Sequence, residues 1–73
     1  MEVKIGVQNT PREIVLDSSQ TPEQVQAQVN EALAADTVLA LKDEKERLVL
    51  VPAKLIAYVE IAQADPRRVG FAG

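Results

Sequence analysis

The chain has 73 residues, carries a net charge of −3 and contains neither Cys nor His. A chain this short holds one small domain. Without Cys there is no disulfide framework and no thiolate nucleophile, and without Cys or His the preferred ligands of zinc and transition-metal sites are absent. The most common general acid–base residue is missing as well. Stability therefore rests on aliphatic packing. Val, Leu and Ile together make 21 of the 73 residues, too apolar a content for a disordered chain. The slight acidic excess argues against non-specific binding to nucleic acid. No apolar run reaches the ~18 residues of a membrane span, and no signal-peptide pattern opens the chain. A cytoplasmic location is the default expectation.

Val3, Ile5 and Val7 alternate with Glu2, Lys4 and Gly6, which predicts a strand with one buried face. Gln8-Asn9-Thr10-Pro11 reads as a turn. A second strand is expected from Arg12 to Asp17, with Ile14 and Leu16 facing the core, so that the two strands form an antiparallel hairpin. Thr21-Pro22-Glu23-Gln24 is a helix start: a capping hydroxyl, a proline at the first helical position, and a glutamine placed for a capping box. The helix is expected over residues 22–35, with Val25, Val29, Ala32 and Leu33 on its apolar face.

A third strand is expected over Val38–Leu41, then a charged turn at Asp43-Glu44-Lys45-Glu46. The fourth strand, Arg47–Val51, carries an unbroken apolar run, which suggests burial on both faces or a central position in the sheet. Pro52 interrupts the run. The fifth strand, Ile56–Ile61, puts Ala57, Val59 and Ile61 on one face and Tyr58 and Glu60 on the other. The fold class is therefore α+β: a single ββαβββ domain over residues 1–63, mostly antiparallel sheet with one helix packed on one face. Its opening hairpin and helix resemble the β-grasp arrangement. One helix covers one face of a five-stranded sheet, leaving the other face open. Residues 64–73 read as a flexible or extended tail.

No catalytic constellation stands out. The phosphate-binding patterns G-x-x-x-x-G-K-[ST] and G-x-G-x-x-G are absent. Asp43, Glu44 and Glu46 are interleaved with Lys42, Lys45 and Arg47, the pattern of a solvated hairpin tip rather than a cation site. Ser18 and Ser19 have no histidine to activate them. No cofactor and no metal is expected. The candidate partner-binding residues are Tyr58 and Glu60 on the open sheet face, and Arg67, Arg68 and Phe71 in the tail, where two guanidinium groups stand near an aromatic. The expected function is a non-enzymatic module for protein interaction or self-association. The alternative is a nucleotide- or nucleic-acid-binding accessory protein using Arg67, Arg68 and Lys54.

The segments Met1-Glu2-Val3-Lys4-Ile5-Gly6, Pro11-Arg12-Glu13, Thr21-Pro22-Glu23, Ile56-Ala57-Tyr58-Val59-Glu60-Ile61 and Arg67-Arg68-Val69-Gly70-Phe71 resemble a family of short actinobacterial conserved-hypothetical proteins, a domain of unknown function. The resemblance spans essentially the whole chain. It implies an actinobacterial cytoplasmic protein and supplies no catalytic residues. Some members carry an ATP-binding label, which no phosphate-binding motif here matches. One departure stands out. Where the family pattern leads one to expect a glycine in the turn between the third and fourth strands, this chain has Asp43-Glu44-Lys45-Glu46.

Overall fold

The computed structural model describes residues 1–62. Its elements run β1 (Glu2–Val7), β2 (Glu13–Asp17), α1 (Pro22–Ala35), β3 (Val38–Lys42), β4 (Leu48–Pro52), a 3-10 turn (Ala53–Leu55) and β5 (Ile56–Ala62). The α+β class and the ββαβββ order are those expected. The strands do not form one sheet, however. They divide into a three-stranded sheet of order β2-β1-β5 and a separate two-stranded ribbon, β3-β4, all antiparallel.

Local chemistry sets each boundary. At the start of α1 the Thr21 hydroxyl accepts the Gln24 N–H at 3.1 Å, and the Gln24 side chain accepts the Thr21 N–H at 3.0 Å. This reciprocal box satisfies two otherwise unpaired donors. The helix ends at Asp36, whose left-handed backbone (φ 56°) lets its N–H return to Ala32. The hairpin between β3 and β4 closes through a three-residue loop, Glu44-Lys45-Glu46, in which Glu46 is left-handed at φ 68°. That is the position such loops usually give to glycine, so the departure noted in the sequence leaves a strained residue there. The Asp43 carboxylate holds the loop instead: its Oδ1 accepts the N–H groups of Lys45 and Arg47 at 2.9 and 2.8 Å.

The core lies between the inner face of the three-stranded sheet, α1 and the inner face of the ribbon. Val3, Ile5 and Leu16 come from the sheet, Val25, Val29 and Ala32 from the helix, and Leu39, Leu41 and Val51 from the ribbon. Each fully buried aliphatic contributes roughly 1.5–3 kcal/mol against the chain entropy lost on folding. Leu33, expected on the apolar stripe of α1, is instead about half exposed, because the core meets only a narrow strip of the helix. A second correction concerns β4. Val51 is buried, but Leu48 and Leu50 are 56% and 58% exposed. Among the described residues the strand pairs only with β3 and no layer covers its outer side, so it is neither central nor buried on both faces.

Candidate interaction surface

The domain turns two sheet faces outward, one from each sheet. On the three-stranded sheet, register brings the outward side chains into three rows. Asp17, Glu2 and Ala62 form the first, Val15, Lys4 and Glu60 the second, and Glu13, Gly6 and Tyr58 the third. The face is mostly charged. Apart from the exposed Val15, its one large apolar body is Tyr58, which is already engaged. The ring lies over Gly6, where a Cβ atom would fall inside it, and the phenol O–H donates to the Glu13 carboxylate. Tyr58 thus bridges β5 to β2 across β1. The hydrogen bond to Glu13 favours the neutral phenol, and partial desolvation and the charges of Glu13 and Glu60 act the same way, raising the Tyr58 pKa above its ordinary value. A register shift between Gly6 and Val7 lies beside this row. It breaks the strict alternation of β5, so Ala57 is exposed rather than aligned with the half-buried Val59 and Ile61.

The free edge of this sheet at β2 is covered by the hairpin tip. The Glu44 N–H donates to the Asp17 carbonyl at 2.8 Å, and the Arg47 guanidinium donates to the Val15 carbonyl at 3.2 Å. Arg47 is held for this by Asp43, whose Oδ2 accepts from its Nε at 3.0 Å. The backbone N–H of Arg47 is the main cause that lowers the Asp43 pKa; burial opposes it and is next in size, and the N–H of Lys45 and the Arg47 charge and side chain add to the lowering. The shallow groove beside this contact, about 260 Å³, is lined by Val15, Leu16, Asp17, Asp43, Glu44 and Arg47. The charged tip is therefore a brace between the two sheets. Among the described residues no three His, Cys, Asp or Glu side chains are grouped to hold a metal ion.

The ribbon's outward face is different. Its cross-strand pairs are Val38 with Pro52, Ala40 with Leu50, and Lys42 with Leu48. Lys42 alone among these six is charged. Val38, Leu48 and Leu50 are each more than half exposed. The backbone at the ribbon's edge is open as well. The Asp43 N–H bonds to the Arg47 carbonyl and the Ala53 N–H to the Thr37 carbonyl, at 2.9 and 2.8 Å. These bonds set the phase of the ladder. Odd-numbered residues of β3 pair inward with odd-numbered residues of β4, while Leu48 and Leu50 turn their N–H and C=O groups away from β3. No strand among the described residues pairs with that side of β4.

Of the residues singled out from sequence, Tyr58 and Glu60 do share the outward face of β5, and Tyr58 packs within the domain. Lys54 is exposed and stands 3.8 Å from Asp36. Arg67, Arg68 and Phe71 lie outside the described residues. Sequence reasoning missed Val38, Leu48 and Leu50. Their signal was present in the unbroken run Leu48-Val49-Leu50-Val51, which supplies two apolar faces to a domain with one helix to cover them.

No helix among the described residues is long and apolar enough to cross a membrane. No curated protein matches the chain. A family model described as "Protein of unknown function (DUF3107)" matches residues 1–72. That match covers nearly all of the 73 residues, and the chain belongs to this family of unknown function.

Proposed function

We propose that this chain is a non-enzymatic protein-interaction module whose binding surface is the outward face of the β3–β4 ribbon. One observation carries the reading: Leu48 and Leu50 are exposed on a strand whose sequence is apolar on both faces. An isolated exposed leucine needs no explanation, but a contiguous set with Val38, Ala40 and Pro52 marks a surface that meets another protein. The charged face of the three-stranded sheet supports the same reading by contrast, since its tyrosine is folded back onto the domain and Val15 is its single exposed aliphatic of any size. The resemblance to short actinobacterial proteins supports an actinobacterial origin and a cytoplasmic location for the module.

The test compares the full chain with a Leu48→Lys/Leu50→Lys variant as baits in cell lysate. The native chain is expected to retain proteins that the variant loses. A retained protein, once purified, is expected to shift the Val38, Leu48 and Leu50 amide resonances. Identical captures from both baits, or shifts confined to the three-stranded sheet, contradict the proposal. Salt-sensitive shifts on titration with ATP or a short RNA would instead support a nucleotide- or nucleic-acid-binding role.

A further inference from the structure

We infer that the occupant of the ribbon's outward side is a second copy of the same chain, joined β4 to β4 about a twofold axis. The inference rests on the interaction reading above and names its partner. Three features favour β4 over the edges of β2 and β3; β5, the remaining edge strand, carries the charged Glu60 in mid-strand. The edge of β2 is closed by Glu44 and Arg47. The outer edge of β3 borders a groove whose far wall is α1, with Gln28, Glu31, Ala32 and Ala35 lining it. Among the described residues β4 has neither a strand nor a brace on its free side, and it lacks the inward charge or mid-strand proline that commonly blunts an edge.

The sequence of the strand suits pairing with itself. A twofold axis through Leu50 overlaps the whole of Leu48–Pro52 with its mate. Leu50 then faces Leu50 of the second copy, and Leu48 faces Pro52. The outward N–H and C=O groups of Leu50 bond reciprocally, and the Leu48 N–H meets the Pro52 carbonyl. Pro52 has no N–H to leave unpaired, so it closes the ladder cleanly. The antiparallel arrangement also sets the acidic loop end of each β4, at Glu46, beside the end of its mate that leads to Lys54. A parallel arrangement would set like charges side by side. The two ribbons become one four-stranded sheet, and their outward faces join into one apolar surface. A two-stranded ribbon is marginal by itself, so the extra strands add to its stability. The apolar side chains involved are few, short of the ~800 Å² per partner typical of tight complexes, so the dimer is concentration-dependent.

The test exploits the absence of cysteine. Facing residues in a hydrogen-bonded antiparallel pair lie about 5.5 Å apart between Cα atoms, within the range a disulfide spans. Leu50→Cys is therefore expected to form a covalent dimer rapidly under mild oxidation. Leu48→Cys, whose copies lie four residues out of register, is expected to cross-link at least tenfold more slowly. Sedimentation equilibrium of the unmodified full chain is expected to show a monomer–dimer equilibrium, shifted to monomer by Leu50→Lys with an unchanged circular dichroism spectrum. A chain that stays monomeric to millimolar concentration, or cysteines that react at equal rates, overturns the dimer. If a different protein still binds the ribbon in those circumstances, only the self-pairing fails. If neither binds, the interaction reading falls with it.

Discussion

The two outward sheet faces of this domain are built from strands of similar length, yet they have opposite chemistry. The three-stranded face presents Glu2, Lys4, Glu13, Asp17 and Glu60, and buries its glycine under its tyrosine. The ribbon presents Val38, Ala40, Leu48, Leu50 and Pro52. The first is finished as a solvent surface, with its β2 edge braced by the hairpin tip. The second exposes apolar side chains beside an unpaired edge. A domain this small buries only about 60% of the surface its unfolded chain exposes, so leaving leucines outside is costly unless they act elsewhere. This difference is the ground on which the proposed interaction is assigned to the ribbon.

The sharpest way to break this comparison is to mutate β3 and β4 on alternate sides. Leu41→Ala, on the inward side, is expected to lose about 2–5 kcal/mol in urea unfolding. Leu50→Ala, on the outward side, is expected to change monomer stability by no more than about 0.5 kcal/mol at low concentration. Equal losses would mean that the ribbon's two faces do not differ as described. On the other sheet, Gly6→Ala drives a methyl into the Tyr58 ring and is expected to cost about 1–3 kcal/mol. In a Tyr58→Ala background the same change is expected to be neutral or stabilising, since alanine suits a strand better than glycine. A cycle that shows no coupling would remove Tyr58 as the cover of that face.

A smaller effect is expected where the two sheets meet. Glu46→Gly relieves a left-handed residue in the bracing loop and is expected to raise stability by about 0.5 kcal/mol in thermal melts, the strain relieved exceeding the added unfolded-state freedom. The smallest concerns proton binding at Tyr58. It is the only tyrosine, so phenolate absorbance reads it directly. Its midpoint is expected above the ordinary value of about 10 and to fall toward it in Glu13→Gln. Because the folded value is raised, the stabilisation is complete below the unfolded value and is lost as pH rises through the folded one. An unshifted midpoint would detach the ring from Glu13.

Much of the fold was legible from residue order. The helix over residues 22–35 was marked by Thr21, Pro22 and Gln24, whose interactions are local and carry their own signal. Alternation in β1 and β5 placed Val3, Ile5 and Val59 inward and Tyr58 outward. The division into two sheets was not legible, because strand pairing is set by packing between distant segments and no local residue encodes it. The same gap hid the surface. An unbroken apolar strand reads as buried on both sides only if there are layers to bury it. The described residues hold one α-helix, and it lies over the inner side. Tyr58 was correctly placed on the outward face, but its engagement with Gly6 and Glu13 depends on a cross-strand register that sequence order does not specify.

The most direct test of the central claim is amide hydrogen exchange followed against protein concentration. Val49 and Val51 pair with β3, so their amides are expected to be protected at every concentration. Leu48 and Leu50 point their N–H groups to the open side of β4. The account predicts fast exchange at these two sites in dilute solution and protection that grows as concentration rises. Exchange at Leu48 and Leu50 that stays fast and independent of concentration would contradict it.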